Sequence, residues 1–343
     1  MPLRSIANLL LKVSLSLLLG WVLYRQIAEH PLPKGDGFGW SQALLHRTGW
    51  YLLPCIVLVP LNLWLEVRKW QLLQRPMCVM GWRTAVRGVL VGITLGILTP
   101  NRVGEYGGRA MLARHGGEGA ALVSTALGGM AQWLAILGCG IPGLLMYSLE
   151  QGYLPSELTM LVTSLGVLAF GLMCWIYFNL GTIFLLLQKL DVSWKPVRQV
   201  LVWLRSLVPL LQDRQHRWSA LLLAFLRYGI YTSQYVLLLA FFDIRPGWWT
   251  AWCGVSSIFL IQSGMPLPPV MGLLARGELA ILFWQPLGAA PVAVLSATFL
   301  LFVLNLGIPA LVGWWWMTRL DIWSKVIGWW RKGPNGTEGR TES

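Results

Sequence analysis

Residues 84–98, TAVRGVLVGITLGIL, form an apolar run that is followed at once by residues 99–110, TPNRVGEYGGRA. The run is shorter than the roughly 20 apolar residues that a membrane-spanning helix needs. Pro100 lacks a backbone N–H, and Gly104 permits close approach of another backbone, so we expect a helix to break here. Non-helical backbone at membrane depth occurs only inside protein or beside a water-filled cavity. The pattern therefore predicts a broken or re-entrant helix pair.

The break carries three charged residues: Arg102, Glu105 and Arg109. A charge at the centre of a membrane-spanning helix costs about 2.5 to 3.5 kcal/mol on insertion scales, so buried charges here are expected to be paired or functional. Glu105 and Arg109 have the i, i+4 spacing that allows an ion pair within a helix. The alternative interpretation, a cytoplasmic loop with solvated charges, stays open from the sequence.

The composition places the whole chain in a membrane. Of its 343 residues, 56% are hydrophobic and 12% are charged, and the mean hydropathy is +0.60, whereas a soluble domain has about 25% charged residues. The net charge of +13 comes from basic residues between apolar runs, where the positive-inside rule and anionic lipid explain it. We therefore exclude nucleic acid as a partner.

The cysteines and histidines predict neither a disulfide framework nor a metal site. The five cysteines are scattered singly without a CxxC pair, and the four histidines lack ligand spacing. We expect no cofactor.

Apolar runs long enough to span a bilayer predict an all-α, polytopic helical membrane protein with six crossings. The runs cover residues 6–24, 49–65, 118–148, 158–187, 217–241 and 289–316. A second short run, 248–265, also ends in a Gly/Pro-rich stretch, and residues 192–212 have the pattern of a helix on the membrane surface. If the two short runs are tilted spans rather than re-entrant pairs, the count is eight.

The basic residues set the predicted orientation. Stretch 66–117 holds eight Lys and Arg and stretch 188–217 holds six, whereas the stretches that alternate with them hold few. By the positive-inside rule, both termini are predicted to face the cytoplasm, in a multi-pass protein of the cytoplasmic (inner) membrane.

The chain carries an internal repeat. Adding 168 to the numbering lays the run that starts at 49 on the run that starts at 217, Pro100 on Pro268, and Gly104 on Gly272. Each unit has three crossings, so the second is expected to be inverted, which is typical of a translocation site near the midplane. We predict membrane repeats at 1–150 and 151–318 and a cytoplasmic tail at 319–343; a chance likeness of hydropathy is the alternative.

Polar residues also lie inside the span at 217–241. Arg227, Tyr231 and Gln234 share one helix face. Arg227 is expected to need an anion, namely Glu105, Glu278 or a lipid phosphate, unless it snorkels to the interface. By contrast, the cluster of Glu66, Arg68 and Lys69, at the end of a run, is expected to be solvated or to lie among headgroups.

The stretch Thr-Pro-x-Arg-x-Gly-Glu at 99–105, with Arg109 after it, resembles the signature of the membrane domain of lysylphosphatidylglycerol synthases, also described as a flippase-like domain. The resemblance extends to the second break, with Pro266, Pro268, Gly272 and Glu278. It implies a protein that moves or presents lipid-linked substrates. The soluble domain that transfers lysine from tRNA in the full-length synthases is not found in this sequence, so we expect no enzyme activity.

Three functions remain open. The first is translocation of an anionic or amino-acylated phospholipid, or of a lipid-linked headgroup. The second is a scaffold that docks a separate cytoplasmic synthase or glycosyltransferase, and the third, less favoured, is an enzyme acting on polyprenyl-phosphate lipids. Membrane lipids are the expected partners, together with a possible homo-oligomer. The expected binding or translocation residues are Thr99, Pro100, Arg102, Gly104, Glu105, Arg109, Arg227, Tyr231, Gln234, Pro266, Pro268, Gly272, Arg276 and Glu278.

Overall fold

The computed structural model describes residues 48–99, 102–113, 117–152, 155–188, 205–264 and 269–319, together with Leu17 and Trp21. Within these ranges the chain is helical and contains no strand. The prediction of an all-α, polytopic protein is therefore confirmed. Most of the first apolar run, residues 192–204, the tail after Arg319, and the prolines Pro100, Pro266 and Pro268 lie outside the described residues.

Eleven α-helices lie in the described part of the chain. In chain order they are α1 (Leu52–Gln74), α2 (Trp82–Leu98), α3 (Val103–Ala110), α4 (Glu118–Gln151), α5 (Ser156–Gln188), α6 (Val208–Gln212), α7 (Arg214–Phe241), α8 (Trp248–Ser263), α9 (Pro269–Trp284), α10 (Pro291–Phe302) and α11 (Ile308–Thr318). A π-helical turn, Val303–Gly307, joins α10 to α11, and Gly272 lies in α9.

Five helical segments among the described residues are long and apolar enough to cross a membrane: Gly49–Gln74, Glu118–Gln151, Glu157–Leu186, Arg214–Phe241 and Pro291–Thr318. They coincide with five of the six predicted spans. Only 6% of the apolar window of α5 is buried inside the protein, against 50% for α4, so α5 presents its side chains to lipid.

The first of these spans corrects a predicted boundary. The run was expected to end at residue 65, yet α1 continues without interruption to Gln74. Glu66 and Lys69 lie inside this continuation and are buried. The prediction that they are solvated or lie among headgroups is wrong, because the ion pair of Lys69 with Glu66 and the ion pairs of Glu66 with other helices replace the water that these charges would otherwise require. Arg68, the third residue of the predicted cluster, is exposed.

Helices α1 and α7 pack against each other in opposite directions. The amide of Gln234 donates to the carbonyl of Cys55 at 3.0 Å, and the guanidinium of Arg227 donates to Asn62 at 2.9 Å. The contact position moves toward the C-terminus on one helix as it moves toward the N-terminus on the other, which defines an antiparallel pair.

Helices α2 and α3 form a tight antiparallel hairpin. A methyl group added at Gly104 would meet the carbonyl oxygen of Leu95, and one added at Gly108 would lie 2.8 Å from the Cα of Gly92. The absence of side chains at these glycines lets the two backbones touch. The hairpin turns where the sequence predicted a break.

Glycines also allow close packing of α4 against α8 and of α11 against α2. Gly140 and Gly143 of α4 lie against α8, where an added methyl would meet Leu260 at 2.7 Å and Ser256 at 2.8 Å. Gly313 of α11 lies against the carbonyl of Leu90 in α2. The closing span of each half of the chain therefore packs on the short helix of the other half.

We predict that Gly104→Ala destabilises the protein by about 1 to 3 kcal/mol, because the new methyl group cannot fit against the Leu95 carbonyl without moving the hairpin apart. The check is thermal unfolding of purified protein in detergent. Gly107→Ala is the matched control on the same helix, since a methyl group there meets nothing within 4 Å and removes glycine's flexibility. Equal stability of the two variants would contradict the packing described here.

Candidate functional site

A cluster of buried charges joins α1, α3 and α7, with Glu66 at its centre. Glu66 is 6% exposed. One of its carboxylate oxygens lies 2.7 Å from Nη2 of Arg109, and the other lies 2.7 Å from Nζ of Lys69 and 3.1 Å from Nη1 of Arg227. A single carboxylate is thus shared by three cations that come from three helices.

The second carboxylate of the cluster belongs to Glu105. It pairs with Arg109 one helical turn further along α3, as the i, i+4 spacing predicted, and with Arg102 at 3.0 Å. The Arg109 side chain is 1% exposed and lies 5.4 Å from the centre of the Trp70 ring. Arg109 is therefore held on one side by two carboxylates and on another by an aromatic face.

Polar side chains from other helices complete the surroundings of Arg227. Its Nε donates to Oδ1 of Asn62 at 2.9 Å, and its Nη1 donates to Oε1 of Gln132 at 3.0 Å. Asn62 in turn donates to Asn305, in the π-helical turn, at 2.7 Å. The inserted residue of a π-helical turn is often associated with a functional position, and here Asn305 supports the amide that orients Arg227.

The cluster has more positive than negative charge. Glu66 and Glu105 face four cations, Lys69, Arg102, Arg109 and Arg227. Full ionisation leaves two positive charges without a carboxylate among the described residues. The two cations nearest the surface are Arg102, whose side chain is 45% exposed, and Arg227, at 24%.

The backbone at the hairpin turn presents Arg102. Arg102 has a left-handed conformation, with φ of 58° and ψ of 27°, which is unfavourable for a residue with a side chain. Thr99 stabilises the turn, since its hydroxyl accepts from the Gly104 N–H at 2.6 Å and donates to the Leu95 carbonyl at 3.0 Å. A methyl group added at Gly96 would lie 3.5 Å from the Cβ of Glu105 and 3.7 Å from that of Arg102.

A second polar group lies where α7, α8 and α9 meet. The Nε of Arg276 donates to Gln262 at 2.6 Å, and its Nη1 donates to the Tyr231 hydroxyl at 3.0 Å. No described carboxylate pairs with Arg276. Because Tyr231 is one turn from Arg227 on α7, the same helix links this group to the central cluster.

Two predicted site residues do not join either group. Gln234 is buried against the Cys55 carbonyl of α1, so its role is in helix packing. Glu278 is exposed on α9 and forms no ion pair with a described residue. The expected anion for Arg227 is therefore corrected: the carboxylate in contact is that of Glu66, not that of Glu105 or Glu278.

The whole-chain comparison agrees with the motif at the hairpin. A family model described as the lysylphosphatidylglycerol synthase TM region matches residues 9–313 of the 343. The chain belongs to this family. The resemblance inferred from residues 99–109 is thereby confirmed, together with the assignment to a membrane. Neither a curated protein nor a solved structure matched the chain.

The sequence did not indicate five residues that the structure places in the cluster of this family member: Glu66, Lys69, Asn62, Gln132 and Asn305. One signal was available for two of them: Glu66 and Lys69 are spaced for an ion pair on one helix face, with apolar residues continuing to either side. The two asparagines and the glutamine carry no signal of position, since amide side chains are common at helix surfaces.

We predict that Glu66→Gln is strongly destabilising in this family member. The change leaves the buried Arg109 and Lys69 and the partly exposed Arg227 with one carboxylate fewer, and breaking a buried charge pair costs about 3 to 5 kcal/mol. The measurement is the melting temperature in detergent. Glu157→Gln, which removes an exposed carboxylate at the start of α5, is the control. A melting temperature for Glu66→Gln as high as that of Glu157→Gln would refute the central role of Glu66.

Proposed function

We propose that this member of the family translocates a lipid with an anionic headgroup, and that the headgroup binds at the cation-rich cluster. The excess of positive charge around Glu66 and Glu105 carries this proposal. Charges buried without counter-ions are costly in a membrane and mark ion or substrate paths. A phosphate would supply the missing negative charge, and the guanidinium fork is suited to its oxygens.

The cluster offers two contacts to an entering headgroup. Arg102 and Arg227 are the partly exposed cations, whereas Arg109 and Lys69 are enclosed. We infer that the first two bind the phosphate and that the enclosed pair holds the carboxylates in place. An amino-acylated headgroup fits the same arrangement, because Glu105 is itself 15% exposed at its side chain and can accept from an ammonium group.

The packing supports two inverted halves. Under the shift by 168, α1 corresponds to α7, α2 to α8, α3 to α9, and α4 to the segment from α10 to α11. The antiparallel contact of α1 with α7 and the reciprocal contacts of α4 with α8 and of α11 with α2 are those that such an arrangement requires. We propose that the hairpins enter the inner membrane from opposite faces and expose Arg102 and Arg276 on opposite sides.

We predict that Glu105→Gln and Arg109→Ala abolish lipid movement. Purified protein is placed in vesicles with labelled anionic, zwitterionic and amino-acyl lipids, and the exposure of each label to an external quencher is followed. The wild type is expected to expose one lipid class. Arg68→Gln is the matched control, since Arg68 is exposed on α1. Among the described residues it lies near Gln71, at 3.5 Å, and over the Trp64 ring, at 5.9 Å, and it forms no ion pair with the cluster.

Two results would contradict translocation. The first is full activity in both variants of the cluster, with folding verified by size-exclusion chromatography. The second is equal loss in the Arg68→Gln control, which would indicate a general effect of surface charge.

A second candidate function is docking of a cytoplasmic lipid-modifying enzyme. The observation that favours it is a set of exposed arginines at the end of α1 and the start of α2: Arg68, Arg75, Arg83 and Arg87. A basic surface of this kind attracts an acidic partner or anionic lipid. Two results together would favour docking over translocation. The wild type would retain a soluble synthase or glycosyltransferase, and the double variant Arg75→Gln, Arg83→Gln would lose it. The wild type would also expose no lipid in the vesicle assay.

A further inference from the structure

A separate polar cavity lies between the C-terminal part of α5, α6 and the first turn of α7. Its volume is about 180 Å³, and its lining includes Phe178, Gly181, Thr182, Gln212, Arg214 and Arg217. Arg217 precedes Arg227 by ten residues on the same helix, a distance of about 15 Å at the helical rise. The cavity is therefore distinct from the central cluster.

A buried guanidinium forms the floor of this cavity. Arg217 is 1% exposed; its Nε donates to the carbonyl of Asp213 at 3.1 Å, and its Nη1 donates to the carbonyl of Tyr177. No described carboxylate forms an ion pair with Arg217. The nearby Asp213 carboxylate binds His216 instead, with 2.5 Å between Oδ2 and Nδ1. A buried cation with uncharged partners favours an anionic ligand.

The rim of the cavity supplies further donors suited to a phosphate. Arg214 is exposed and donates to the amide oxygen of Asn179 at 3.1 Å, which uses one of its five N–H groups. Thr182 and Gln212 also line the cavity, and their side chains carry a hydroxyl and an amide that can donate. Gly181 lets α5 lie close to α6, since a methyl group at this position would lie 2.8 Å from the Leu211 carbonyl.

The surroundings point to a lipid rather than a soluble phosphate. Phe178, in the lining, stacks on Trp218 with ring centroids 4.3 Å apart, and Trp218 is 60% exposed. Tryptophan at the end of a membrane span is typical of the headgroup level. Leu222, one turn further along α7, is also exposed and gives an acyl chain an apolar surface next to the cavity.

We infer that Arg214 and Arg217, with Thr182, bind the phosphate of an anionic phospholipid from the leaflet at this end of α5 and α7. The bound lipid joins α5, of whose apolar window only 6% is buried, to the start of α7. It is a stabilising ligand and does not need to move through the central cluster. Basic pockets between membrane helices bind anionic headgroups in this way.

The test is the melting temperature of the purified full-length protein in neutral detergent, titrated with phosphatidylglycerol and, separately, with phosphatidylcholine. Phosphatidylglycerol is expected to raise it and phosphatidylcholine is not. Arg214→Gln is expected to increase the half-saturating phosphatidylglycerol concentration roughly tenfold, the loss of about one charge-assisted hydrogen bond. Arg205→Gln removes an exposed charge from the same stretch outside the cavity and is expected to behave as wild type.

Two further variants keep the test valid if replacing the buried Arg217 impairs folding. Arg217→Lys keeps the charge and loses the fork, and Thr182→Val removes only a hydroxyl at the surface; both are expected to weaken the phosphatidylglycerol effect. Unchanged titrations in Arg214→Gln and Thr182→Val would overturn the site. Equal weakening of the phosphatidylglycerol effect in Arg205→Gln would indicate general charge attraction in place of a specific site. Equal stabilisation by glycerol 3-phosphate would show that the bound phosphate need not belong to a lipid, and would overturn the proposed lipid ligand.

Discussion

The cost of burying charge governs this structure. Glu66 is almost inaccessible to solvent and balances Arg109, Lys69 and Arg227, so the positions of α1, α3 and α7 depend on one carboxylate. Removing such groups from water costs several kcal/mol for each ion, and only close pairing offsets the cost. The helices that carry these charges must therefore meet at one place, whatever their apolar faces would permit.

Close backbone contact makes this meeting possible. The α2–α3 hairpin is held by Gly92, Gly104 and Gly108, where a methyl group has no room, and Arg109 and Glu105 extend from that hairpin toward α1. Glycine packing replaces the hydrophobic effect as the source of association between helices in lipid. These glycine contacts therefore bring the charges of α3 within reach of Glu66.

The two polar sites differ in what a ligand would contribute. At the central cluster, carboxylates already pair with the cations and a headgroup would add the missing charge, so binding can be weak enough to release. At the cavity of Arg217, the guanidinium has carbonyl partners, and a phosphate would add an ion pair that no described carboxylate provides. Reversible occupancy suits a translocated substrate, whereas firm occupancy suits a lipid that seats α5 against α7.

Hydropathy and residue spacing were sufficient for part of this description. They predicted the membrane class, all five described spans, the two short helices, a break within 99–110 and the Glu105–Arg109 pair, because each depends on residues close together in the chain. The motif at 99–109 was also sufficient to suggest the family that the whole-chain comparison matched. Tertiary structure alone decided the counter-ion of Arg227, the packing role of Gln234 and the exposure of Glu278. Glu66 lies 43 residues from Arg109, and which carboxylate neutralises which cation depends on how the helices pack. No local pattern encodes that choice, because an isolated helix could present the same charge to water, to lipid headgroups or to a neighbour.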